Sequence, residues 1–112
     1  MRIAIVAPDL PDEVIPTFPA LTDAVRARPG LKFSVITGPE AAGWFRRHPD
    51  VDEVMVFDST TLLASRWTPA GWRAGRAWKE GLRAHPQLEQ AEYVIDPFGR
   101  PETLAMAKRV PA

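Results

Sequence analysis

Residues 2–7, Arg-Ile-Ala-Ile-Val-Ala, are apolar after the first and are closed at once by Pro8, Asp9 and Pro11. A short apolar run ended by turn residues reads as a buried strand. Beyond it the period changes. Val14, Phe18, Leu21 and Val25 recur at the spacing of one helix face, with Pro16 acceptable in a first turn and Pro29-Gly30 as the stop. Residues 31–37 return to a strand pattern. Gly38-Pro39-Glu40 then opens a short helix to about His48, because Pro suits the first helical position and Glu complements the helix dipole. Residues 53–57 read as a third strand and 58–69 as a loop or short helix. Residues 70–84 regain a helical period, with Ala74, Ala77, Trp78, Gly81 and Leu82 on one arc, although Gly75 and Gly81 each cost about 1 kcal/mol against Ala. Residues 92–96 form a fourth strand pattern, and Pro101 begins a last helix to about Arg109.

Strand and helix alternate four times, which predicts an α/β fold: a mostly parallel sheet covered on both faces. Ligands of such sheets bind beyond the carboxyl ends of the strands, where the strand order reverses. The first and fourth strands are expected side by side at that point, so the loops 8–13 and 96–100 face one crevice.

The whole chain is 112 residues, the size of one domain, with 46% hydrophobic and 25% charged residues, a balance that argues against disorder. Twelve prolines cut it into short elements. Without Cys it has no disulfide, thiolate chemistry or Cys-ligated metal. No apolar stretch approaches the roughly 18 residues that span a bilayer, and the opening run is too short for a signal peptide. The expected location is the cytoplasm, at most peripheral to the inner membrane.

Lys plus Arg and Asp plus Glu both number 14, so nothing global points to nucleic acid. That neutrality hides a division: residues 1–60 hold 6 basic and 9 acidic side chains, and the remainder 8 and 5.

Three local features bear on chemistry. Asp9, Asp12 and Glu13 cluster after the first strand, where a nucleotide-binding fold would carry glycines; there is no G-x-G-x-x-G or P-loop. A carboxylate there can act as a general base or simply serve the helix start. Asp96-Pro97-Phe98-Gly99-Arg100 either aims a carboxylate and a guanidinium at the same crevice or forms a strand-end turn in which Asp96 caps the next helix. Arg66, Arg73, Arg76, Lys79 and Arg83 face only Glu80 in charge. On a helix the last four of these cations fall within an arc of about 120°, with Trp72 inside it. An indole among cations suits a phosphorylated sugar or lipid, and equally describes a solvated helix face. His48 and His85 lack the spacing of metal ligands, and no metal is expected. Trp44, Phe45 and Trp78 read as core or interface.

Taken in order, "MRIAIVAPDLPDEVIPTFPALTDA", "RPGLKFSVITGPEAAGWFRRHPDVDEVMVFD" and "YVIDPFG" resemble the amino-terminal part of bacterial lipopolysaccharide heptosyltransferases, of glycosyltransferase family nine. The resemblance covers nearly all of this chain and about the first third of a typical member. It implies a Rossmann-like three-layer domain equivalent to the amino-terminal half of a GT-B glycosyltransferase, binding a lipid A–Kdo acceptor. The donor-binding domain, and with it ADP-heptose binding, would have to come from elsewhere, so the domain is expected to be inactive alone. No cofactor is implied. The family's base is an aspartate preceded by glycine, and an ungapped match places that pair on Asp12-Glu13. Glu13 thus carries one extra methylene and Asp12 replaces the glycine. Likewise, Phe98 stands where the family usually has Gln. The resemblance also makes Arg66, Trp72, Arg73, Arg76, Lys79 and Arg100 candidate acceptor contacts. The alternative expectation is a non-catalytic binding module that recognises an anionic glycolipid or pairs with a separate donor-domain chain. A homodimer through Trp44, Phe45 or the carboxyl ends of the strands is expected.

Overall fold

The computed structural model describes residues 1–111. Strands β1 (Arg2–Val6), β2 (Lys32–Thr37), β3 (Val51–Val56) and β4 (Tyr93–Ile95) form one parallel sheet in the order β3-β2-β1-β4. Ile5 lies opposite Val35 on one side and Ile95 on the other. Strand order reverses between β1 and β4, the adjacency expected from the sequence.

Alternation within the strands divides the core into two layers. On one face Ile5, Ala7, Phe33 and Val35 meet Val14, Ala41 and Phe45 from α1 (Pro11–Val14) and α3 (Pro39–Arg46), with α2 (Phe18–Ala27) partly covering them. On the other, Ala4, Val6, Ile36 and Met55 meet Trp78 and Leu82 of α4 (Pro69–Ala84), Leu88 of α5 (Pro86–Glu89) and Met106 of α6 (Pro101–Ala107). Phe57 packs edge-on to Trp78 with ring centroids 5.1 Å apart, and the Trp78 indole N–H donates to the Arg109 carbonyl (3.3 Å).

Several elements differ from the sequence expectation. The single helix expected over 14–25 is α1, a 3-10 turn at Ile15–Thr17, and α2. Pro16 and Pro19 lack the N–H needed for a continuous ladder, and the Thr17 hydroxyl closes instead on the Val14 carbonyl (2.6 Å). β3 starts at Val51, two residues early, and Arg2 pairs with Asp52 beside it (2.7 Å). Helix α5 was not expected; it seats the fully buried Leu88. Ala77 is exposed and not on the buried arc of α4, whereas Gly71 is buried. Gly81 does lie on the packed side of α4: a Cβ there would meet the terminal methyl of Met55, which would have to shift. Phe45 is wholly buried, which removes it from any dimer surface and leaves Trp44 as the exposed aromatic of α3.

Candidate functional site

The loops after β1 and β4 meet. The Arg100 guanidinium holds the Glu13 carboxylate bidentately, Nε donating to Oε2 (2.9 Å) and Nη2 to Oε1. Glu102 Oε1 lies 3.8 Å from Arg100 Nη1. The hydrogen bond from Arg100, partly opposed by desolvation and reinforced by the guanidinium charge, holds the Glu13 carboxyl below its usual range. Arg100 is raised in turn, chiefly by the same hydrogen bond. Glu13 is therefore a weak base while Arg100 grips it. It becomes a stronger base when another anion takes the guanidinium.

Arg100 is placed by a chain of hydrogen bonds running back to the end of β4. Asp96 Oδ1 accepts the amides of Phe98 and Gly99 (both 3.1 Å), and Oδ2 accepts the Thr103 hydroxyl (2.9 Å). That hydroxyl accepts the Arg100 backbone N–H (3.0 Å) at the start of α6. Gly99 has φ +66°, the left-handed conformation that this turn needs and glycine supplies without strain. Asp96 is thus the turn-holder of its loop, and Arg100 is the member that reaches the crevice.

Neither Asp12 nor Glu13 caps a backbone amide of α1, which is entered at Leu10 without a side-chain cap. Asp12 is exposed and makes no side-chain hydrogen bond among the described residues. The cap in this region comes from Asp9, and it serves another helix. Its Oδ1 accepts the Ala41 N–H (2.8 Å) in the first turn of α3, whose own N-cap, Gly38, has no side chain. A Cβ on Gly38 would overlap Asp9 Cγ. Sequence reasoning missed this pairing. The available signal was a helix start written Gly-Pro, which must find its capping oxygen elsewhere.

The basic residues do not converge as a set. Arg73 lines a cleft of about 550 Å³ beyond the end of β3, with Val56, Phe57, Asp58, Thr61 and the alanines of α4. The 3-10 turn Ser59–Leu63 on its rim also packs against α6, which links the cleft to the Arg100 side of the sheet. Trp72 is exposed on the outer side of the first turn of α4, under the Arg76 guanidinium at 5.2 Å. Arg66 lies in the preceding loop over Trp67 (5.2 Å). Lys79 stands about 10 Å further down the helix from Trp72. It lines a different groove, with Lys108 and Arg109 beyond α6. Of the sequence candidates, then, Glu13 and Arg100 are brought together, Arg73 faces a neighbouring cleft, Arg66, Trp72 and Arg76 form a corner, and Lys79 stands apart.

His48 is buried and satisfied. Nδ1 accepts the Asp50 N–H (3.1 Å), so Nε2 carries the proton that meets the Phe18 carbonyl (3.2 Å). Among the described residues no three His, Asp or Glu side chains are grouped to hold a metal ion.

A four-stranded parallel sheet with helices on both faces, its strand order reversing between β1 and β4, is a Rossmann-like α/β domain. In sequence it is similar to lipopolysaccharide heptosyltransferase 1 of Escherichia coli K12, with 32% identity over 111 residues, 98% of this chain and 33% of the relative. The same enzyme from Pseudomonas aeruginosa is 34% identical over 101 residues, 88% of this chain and 27% of the relative. E. coli heptosyltransferase WaaC, solved with ADP-2-deoxy-2-fluoro heptose, superposes with a TM-score of 0.75 at 28% identity, covering 98% of this chain and 34% of that one. A family 9 glycosyl transferase from Veillonella parvula shares the fold, with a TM-score of 0.67 at 20% identity over 98% of this chain and 30% of that one. No family model matches. The chain spans about a third of the length of the curated relatives it matches. The resemblance to lipopolysaccharide heptosyltransferases thus holds in both sequence and structure.

Proposed function

We propose that this chain is the acceptor-side domain of a heptosyltransferase-like glycosyltransferase of lipopolysaccharide core assembly, acting on a lipid A–Kdo type acceptor. The observation that carries the reading is the Glu13–Arg100 pair at the reversal of strand order. Glu13 occupies the position at which the resemblance places a base, and Arg100 is a cation already shaped for a carboxylate or phosphate. An anionic acceptor that takes Arg100 releases Glu13. The freed carboxylate accepts the proton of the attacking hydroxyl while its oxygen bonds to the anomeric carbon of ADP-heptose and the bond to ADP breaks on the opposite face. Arg73, in the cleft beyond β3, is the second acceptor contact in this scheme.

ADP-heptose needs the second domain of a two-domain enzyme, so the 112 residues alone release no ADP. The test joins this chain to the remaining two thirds of the E. coli relative and follows ADP release. Activity is expected from the chimaera, with a loss of about 100-fold or more on Glu13→Gln. Turnover by the 112 residues alone, or a chimaera that keeps full activity after Glu13→Gln, overturns the reading.

A second reading, a binding module without catalysis, is favoured by two features. Both oxygens of Glu13 are occupied, and Asp12 stands where the family has glycine. It calls for acceptor binding by the chain and no activity from the chimaera.

A further inference from the structure

The corner formed by the loop 63–68 and the first two turns of α4 presents apolar side chains where a folded domain normally hides them. Leu63 is 54% exposed, Trp67 85% and Trp72 60%. Relative to the Thr68 N-cap, Trp67 and Trp72 hold the two positions whose side chains commonly pack together across a helix start. Here they do not close on each other. Each indole instead carries its own guanidinium, Arg66 over Trp67 and Arg76 over Trp72, both at 5.2 Å.

This presentation is built into the backbone. The Ser65 carbonyl accepts the Thr68 N–H (2.9 Å) and the Thr68 hydroxyl (2.6 Å), and the Thr68 hydroxyl in turn accepts the Gly71 N–H (3.1 Å). Gly71 lies so close beneath the loop that a Cβ would overlap the Ser65 carbonyl oxygen. The exposed indoles are therefore held out by a tightly packed turn.

The surrounding charge is mostly positive. Arg66, Arg73, Arg76, Lys79 and Arg83 outnumber Glu80, and none of the five forms an ion pair among the described residues. Elsewhere Arg2 and Arg100 each find a carboxylate. Exposed indoles beside unpaired cations match the water–bilayer interface, where a ring lies at headgroup depth and a guanidinium meets lipid phosphate. No helix among the described residues is long and apolar enough to cross a membrane, so contact through this corner is interfacial.

We propose that the corner Leu63, Arg66, Trp67, Trp72 and Arg76 is a docking surface for an anionic lipid bilayer. The inference does not depend on the acceptor reading, because it needs only the lipid headgroups of the bilayer surface. Docking places the carboxyl ends of the strands toward the membrane, since α4 starts at that end of the sheet.

The test is partition of the full chain onto vesicles of phosphatidylcholine, alone or mixed with phosphatidylglycerol and free of any glycolipid. Binding is expected to be at least about tenfold tighter to the anionic vesicles and to weaken as salt rises. Arg66→Ala and Arg76→Ala should each cost about fivefold. Trp67→Ala with Trp72→Ala should cost about tenfold together, whereas Trp44→Ala, on α3 with its own Arg47 at 5.1 Å, should cost nothing. Thermal melts of all variants confirm folding. Equal binding to both vesicle types, full binding by the double Trp variant, or complete competition by inorganic phosphate at matched ionic strength overturns the proposal; the last outcome identifies a soluble-anion site instead.

Discussion

The crevice between β1 and β4 and the corner at the start of α4 treat charge in opposite ways. In the crevice region charges are largely spoken for: Asp9 by an amide of α3, Asp96 by its own turn and Thr103, Glu13 by Arg100, and Arg100 by Glu13 and Glu102. At the corner the cations have no carboxylate and share their surface with exposed indoles. The crevice is self-satisfied, so a ligand there must exchange partners. Its key pair is partly open to water, and ion pairs at the surface contribute little to stability, so the exchange is inexpensive. The corner needs no exchange. Its cations make no ion pair among the described residues, so under the two proposals above a surface would be engaged at the corner without disturbing the pair in the crevice.

Breaking the corner should have the largest effect on the fold. Gly71→Ala drives a Cβ into the Ser65 carbonyl, a backbone atom that cannot yield cheaply. Urea unfolding should show a loss of about 2 kcal/mol, together with weakened vesicle binding. Gly75→Ala, one turn on, meets nothing within 4 Å and should gain about 0.5–1 kcal/mol by helix propensity. A Gly71→Ala protein as stable as wild type would show that the loop is not braced in this way. The matching break on the crevice side is Asp9→Ala. It removes the remote cap of α3 and should cost about 1 kcal/mol, with Asp9→Asn retaining most of the stability because an amide oxygen can also accept the Ala41 N–H. An unchanged melting midpoint for the alanine variant would remove Asp9 from the frame that positions the loop.

These two regions were legible in the sequence to different degrees, for a physical reason. Strand and helix periodicity is local, so the four strands, α3, α4 and α6 could be read from short windows. Adjacency of β1 and β4 followed from the rules of parallel sheets. The basic arc of α4 was also readable, because a helix fixes which residues share a face. What the arc could not reveal was the division among its members: Arg73 turns to a cleft, Arg76 to an indole, and Lys79 to a groove shared with Lys108 and Arg109. The Glu13–Arg100 pair joins residues 87 apart and Asp9–Ala41 joins residues 32 apart, and such contacts depend on packing that no local window contains. Two residues proposed from one loop therefore parted company, Glu13 going to Arg100 and Asp12 to solvent. The interruption of the first helix was readable in hindsight from Pro16 and Pro19, whose missing N–H groups weigh against the apolar period running through them.

Acid titration gives the finest test of the contrast. The Glu13 carboxyl is held below its ordinary value of 4.5, so the folded state binds a proton there less readily than the unfolded chain does. The contribution of the pair is then fully present above the unfolded value and is lost as pH falls from about that value down through the lower folded one. Glu13→Gln abolishes this dependence. Wild type should therefore lose stability more steeply than the variant below pH 4.5, and the two melting curves should run parallel above it. The effect is small, because both side chains remain partly in water and salt weakens it further. An anion that takes Arg100 should erase the difference as well, by returning Glu13 to an unpaired state. A wild-type curve that coincides with that of the Glu13→Gln variant throughout would mean that the pair is too loosely held to govern the basicity of Glu13.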